Sequence, residues 1–168
     1  MTAGSLDSRI NNKQVTGVLT MILFHNDYNE VCHPAVLAKL NETVGTQMPG
    51  YGMDASCARA AQLIQEKCER EDVAIHFLVG GTQTNLTVIA AALRPHQAVI
   101  SADSGHVNVH ETGAIEATGH KIIQLLPMEG KITAQQVESV YLSQSQSEDA
   151  EHIAQPKLVY ISNPTEVG

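Results

Sequence analysis

The chain has 168 residues, 43% of them apolar, with 10 basic against 18 acidic side chains and a net charge of −8. That length supports one domain with a real core. The acidic balance, with a pI near 5.4, excludes a phosphate-neutralising nucleic-acid face and attraction to an anionic membrane surface. Three cysteines, Cys32, Cys57 and Cys68, are odd in number and outside CxxC spacing, so neither a disulfide scaffold nor a zinc ribbon is expected.

Residues 1–14 are polar and aperiodic and read as a disordered extension, which we bound at residues 1–22. The apolar run 15–24 is too short to span a bilayer. It also lacks a small-residue cleavage site, since His25-Asn26-Asp27 follows directly. A cytoplasmic protein is expected.

Pro34 near a helix start, with Val36, Leu37 and Leu40, predicts a short helix over 34–44. Residues 48–54 carry Pro-Gly and Tyr-Gly and read as a loop. Ser56 is placed to cap a helix over 57–69 with Ala58, Ala61, Leu63 and Ile64 inward. Alternation follows: a strand over 73–79, a helix over 84–93, a strand over 98–102 and a helix over 107–118. A strand over 121–125, a helix over 133–141 and a strand over 158–162 complete it, with a solvated loop over 143–151. Strands and helices in alternation predict an α/β fold: three layers, a mainly parallel sheet with helices on both faces.

Gly80-Gly81-Thr82-Gln83-Thr84-Asn85 follows one of these strands and opens a helix. Glycines let a ligand approach the backbone, and the helix start offers free amides and a positive dipole end, which together suit a phosphate. The segment is neither a Walker A loop nor GxGxxG. Read by itself, it is equally a plain glycine turn with Thr84 as N-cap. His106 follows the 98–102 strand, at the edge where parallel sheets bind ligands. A lone loop histidine is more often solvated or capping. His106 and His110 are spaced i, i+4, but there is no HExxH and no third ligand, so no metal site is expected.

In order along the chain stand Asn26-Asp27-Tyr28 with His33-Pro34, Tyr51-Gly52-x-Asp54, Gly81-Thr82-x-x-Asn85, His106 with Glu111, Gly113 and Ala114, and Asn163-Pro164-Thr165. Over roughly residues 24–168 this series resembles the threonine aldolase / β-eliminating lyase family, fold-type-I enzymes dependent on pyridoxal 5′-phosphate (PLP). The resemblance implies that residues 23–168 are the N-terminal part of a PLP-dependent-transferase-like large domain. Gly81 and Thr82 would hold the PLP phosphate, and His106 would stack on the ring near the proton-transfer chemistry. Asn163 would approach the phenolic oxygen. Asn26, Asp27 and Tyr51 would lie near the substrate, with Asn26 where the family usually has serine and Ala55 where proline is common. The implied reaction cleaves a β-hydroxy-α-amino acid to glycine and an aldehyde, in a homo-oligomer with sites at its interface. The family's Schiff-base lysine, with the aspartate that pairs the ring nitrogen, would fall beyond the equivalent of Gly168. None of Lys13, Lys39, Lys67, Lys121, Lys131 and Lys157 stands in its place. On this reading the chain is the front part of a longer enzyme, inactive alone. The alternative is a truncated, non-catalytic binding protein of the same fold.

Overall fold

A computed structural model describes residues 31–167; the expected extension, Asn26 and Asp27 lie outside the described residues. By contact density the chain divides at Gly50. The first part contributes α1, Pro34–Glu42, with Pro34 at its start, where a missing amide costs nothing. His33 is its N-cap, its Nδ1 accepting from the Ala35 amide at 3.2 Å.

The second part holds the sheet. Its elements are α2 (Ala55–Lys67), α3 (Gly81–Ala92), β1 (Gln97–Ala102), α4 (His106–Val109), β2 (Lys121–Leu125), α5 (Ala134–Ser145) and β3 (Gln155–Val159). Short 3-10 turns occur at Glu116–Thr118 and Ala150–His152. The three strands are parallel, in the order β2-β1-β3. Alternate residues of β1 face opposite layers. Val99 joins Ile89, Leu93, Val107, Ile115 and Ile122, so α3 and the α4 region cover one face. Ala98, Ile100, Ile123 and Leu125 meet Val137 and Val140 of α5 on the other. The expected three-layer architecture is present, and its middle strand is buried on both faces, as a parallel sheet requires.

Several local expectations need correction. Residues 73–79 form no strand: no other described strand pairs with them, and Phe77 and Val79 are exposed. The cap of α2 is Asp54, not Ser56; its carboxylate accepts from the Cys57 amide at 2.9 Å. Hydrogen bonds from Cys57, first from its side chain and then from its amide, hold the Asp54 carboxyl below the usual carboxylate range and push the Cys57 thiol up. Ala58, Leu63 and Ile64 are exposed rather than inward.

The helix expected over 107–118 is broken. Thr112 (φ 50°) and Gly113 (φ 78°) adopt left-handed conformations between α4 and the turn at Glu116. The last strand lies three residues earlier than expected, at Gln155–Val159. Helix α5 runs on to Ser145, into the expected loop, and begins at a capping box in which Thr133 and Gln136 exchange hydrogen bonds. Among the described residues no helix is long and apolar enough to cross a membrane.

Candidate functional site

Helix α3 starts at Gly81, three residues before the expected Thr84, which places Gly81 and Thr82 in its first turn. Its N-cap, Gly80, provides no side-chain acceptor, so the leading amides have no intrahelical partner. A Cβ built on Gly80 or Gly81 would meet nothing within 4 Å. The space in front of the first turn is open to a ligand. Gln83 turns back to accept from the Val79 amide at 2.9 Å, and the Thr84 hydroxyl donates to the Gly80 carbonyl at 2.9 Å. These two bonds fix the entry to the helix.

One turn further on, Asn85 points to the loop after α4. Its Nδ2 donates to Glu111 Oε1 at 2.5 Å, and the same oxygen lies 2.9 Å from His106 Nδ1. Glu111 is buried at 2% exposure, whereas the His106 side chain is 47% exposed. The glycine helix and the histidine are thus joined through one buried carboxylate. The His110 ring stands 5.4 Å from that of His106, tilted by 54°.

His106 is also held by its backbone. Its amide donates to Glu166 Oε1 at 2.7 Å, and Ser162 Oγ donates to that oxygen at 2.6 Å. Burial pushes the Glu166 carboxyl up, but the hydrogen bond from Ser162, then those from its own backbone and from His106, outweigh it. The net result is below the usual range.

Beside this link a cavity of about 350 Å³ opens at the C-terminal ends of β1 and β3, lined among others by Ser101, Gly105, Lys131, Ser162, Asn163 and Glu166. Gly105 is required there: a Cβ would collide with Ser101 Oγ and lie 3.0 Å from the Ala102 carbonyl. Asn163 is exposed and precedes a cis proline, Pro164.

The structure therefore brings the α3 start and His106 into one hydrogen-bonded assembly, with Asn163 on the adjoining cavity. Tyr51 stands fully exposed at φ 61° and, among the described residues, makes no hydrogen bond to that assembly. Sequence reasoning missed the parts played by Glu111 and Glu166. The Thr112-Gly113 step just after Glu111 was the available signal, because glycine there permits a helix break. Nothing local marked Glu166.

An α/β sheet with a glycine-led helix start and a histidine at a strand's C-terminal end matches a known class. The sequence model of the Beta-eliminating lyase family matches residues 31–168. The chain belongs to that family. It is 28% identical over 145 residues to low specificity L-threonine aldolases of Pseudomonas aeruginosa and of a second Pseudomonas strain. Each match covers 85% of this chain and 40% of the relative. A solved structure of Leishmania major threonine aldolase superposes with a TM-score of 0.79 at 50% identity, over 85% of this chain and 41% of that one. The chain spans about 40% of the length of the curated relatives it matches.

Proposed function

We propose that the chain is part of a PLP-dependent lyase of the threonine aldolase type, which cleaves a β-hydroxy-α-amino acid to glycine and an aldehyde. The observation that carries this reading is the assembly of the open α3 start with His106 through Asn85 and Glu111. The residues present fit a phosphorylated aromatic cofactor. Unpartnered amides and the positive end of α3 suit a phosphate dianion, with Gly81 leaving room and the Thr82 hydroxyl as a further donor. A half-exposed imidazole held at both its ring and its backbone suits a flat ring that must be kept in one plane. Asn163, beside the same cavity, has an amide to offer a phenolic oxygen.

When bound, PLP takes up the electron pair released as the Cα–Cβ bond breaks. The chain's own contribution is orientation. Gly81 and Thr82 would hold its phosphate, His106 would stack on its ring, and Asn163 would approach its phenolic oxygen. Asn26, Asp27 and Tyr51 are assigned to the substrate side. Positioning of this kind lowers the barrier by avoiding entropy loss at the reacting bond. The working form is proposed to be a homo-oligomer.

The test uses the protein from its complete reading frame, purified with PLP. Visible absorption of bound cofactor, and equal amounts of glycine and acetaldehyde from threonine, are the expected results. Bound cofactor without cleavage of any β-hydroxy-α-amino acid would overturn the substrate assignment. Failure to retain PLP would overturn the cofactor assignment and leave a non-catalytic binding role.

A further inference from the structure

We propose that Glu111 is a positioning residue: it holds His106 as the Nδ1–H tautomer, leaving the Nε2 lone pair exposed at the mouth of β1. This rests on the reading of His106 as the ring that faces the cofactor.

The geometry begins with the helix break. In a continuous helix, residues five apart project about 140° from one another and cannot meet. His106 and Glu111 are five apart, and yet their side chains are 2.9 Å apart. What brings them together is the end of α4: at His110 the backbone leaves the helical conformation (φ −122°, ψ 5°) just before Glu111. That departure carries the Glu111 carboxylate to the His106 ring.

The chemistry follows from which atoms are donors. The Glu111 side chain is fully buried, and a buried carboxylate is costly without donors around it. It has two. Asn85 Nδ2 supplies one to Oε1. The second contact on Oε1 is His106 Nδ1; Oε1 already accepts from Asn85 and stands as an acceptor, so the proton lies on Nδ1. The imidazole's other nitrogen then carries the lone pair. A carboxylate that selects a tautomer in this way is a recurrent support for a working histidine. Among the described residues, the other ionisable groups in contact with His106 are His110, whose ring is 5.4 Å away, and Glu166, which binds its backbone amide rather than its ring. Neither competes for Nδ1. Asn85 adds a connection: the helix whose first turn is assigned to the phosphate also orients the carboxylate that sets the tautomer.

The test is long-range ¹H–¹⁵N correlation of the His106 ring at about pH 8, above the ordinary imidazole titration. The expected pattern is a protonated Nδ1 and a bare Nε2. In Glu111→Leu no acceptor faces Nδ1 and a population with the proton on Nε2 appears, whereas Glu111→Gln keeps a carbonyl oxygen toward both Asn85 Nδ2 and His106 Nδ1 and keeps the pattern. In the holoenzyme from the complete frame, Glu111→Leu is expected to lower kcat by roughly a hundredfold or more with little change in KM, and Glu111→Gln by much less. A proton on Nε2 in the unsubstituted protein overturns the proposal, as does a tautomer unmoved by Glu111→Leu. Should that variant not fold, the unsubstituted spectrum decides alone. A protein that binds no PLP yet shows Nδ1–H would defeat the functional reading and leave the positioning role standing. A PLP lyase with the opposite tautomer would do the reverse.

Discussion

Asn85 Nδ2 and Glu111 Oε1 are 2.5 Å apart across 26 residues of sequence, and this one bond ties the first turns of α3 to the loop that follows α4. Among the described residues Glu111 Oε2 has no hydrogen-bond partner, so the carboxylate depends on what reaches Oε1. Asn85→Ala removes one of two donors from a buried charge and is expected to cost about 1–3 kcal/mol. Asn85→Asp sets a second carboxylate against the first and should cost more. Urea unfolding of both variants checks the order. Equal destabilisation would mean that the second carboxylate adds nothing beyond the lost donor.

Gly105 sits under Ser101 in the same region. Gly105→Ala forces a methyl group onto Ser101 Oγ and is expected to destabilise by about 1–3 kcal/mol through overpacking. Ser101 Oγ is buried without a partner, so Ser101→Ala alone should be close to neutral. Combining the two should recover part of the loss, since the Ala102 carbonyl still lies 3.0 Å from the new Cβ. A double-mutant cycle on thermal unfolding reads this coupling directly. Strict additivity would show that the strain lies in the backbone rather than at Ser101.

What could be read from the sequence divides along physical lines. Strand β2 is found at its expected bounds, and β1 within one residue, because each is a short apolar run whose neighbours supply its ladder. Residues 73–79 have the same composition but no paired neighbour among the described residues, and a strand is defined by its partner. The start of α3 was displaced because Thr84 is the better side-chain cap. The backbone at Gly80 is extended and lets the helix begin earlier, and Thr84 bonds back to its carbonyl instead. The outward Leu63 and Ile64 of α2, at 44% and 39% exposure, show that an apolar stripe marks a face without naming what covers it. For the site, glycine and histidine announced themselves by type. Glu111 stood in the family's series without a role, because its bond to His106 depends on the backbone leaving the helix at His110, which no propensity predicts.

Gly81 separates helix stability from ligand binding. Aspartate at this first-turn position favours the helix, both by replacing glycine and by facing the positive dipole end. A gain of about 0.5–1 kcal/mol is expected. The same carboxylate repels a phosphate dianion and occupies the open space before the first turn. Gly81→Asp should therefore raise the unfolding midpoint while weakening inorganic phosphate binding by at least about tenfold. Amide shifts of residues 81–83 on phosphate titration give the second quantity. A variant that gains stability and binds phosphate undiminished would remove the phosphate from this helix.

Glu166 gives stability a pH dependence of known sign. Its carboxyl is below the ordinary glutamate value of about 4.5 in the folded protein, against its own burial, because Ser162 Oγ, its own backbone amide and the His106 amide hydrogen-bond the charged form. A depressed folded value means that the unfolded chain binds the proton more readily. The stabilisation is therefore complete above about 4.5 and fades as the pH falls through that value to the lower, folded one. Glu166→Gln keeps an acceptor for both donors but removes the charge. At neutral pH this variant should unfold at a lower urea concentration than the unsubstituted protein, and the gap should close as the pH drops below that range. The effect is small, since the group is largely solvent-screened. A gap that stays constant from neutral to acid pH would show that Glu166 acts through shape alone. The His106 amide would then be held equally well by a neutral oxygen.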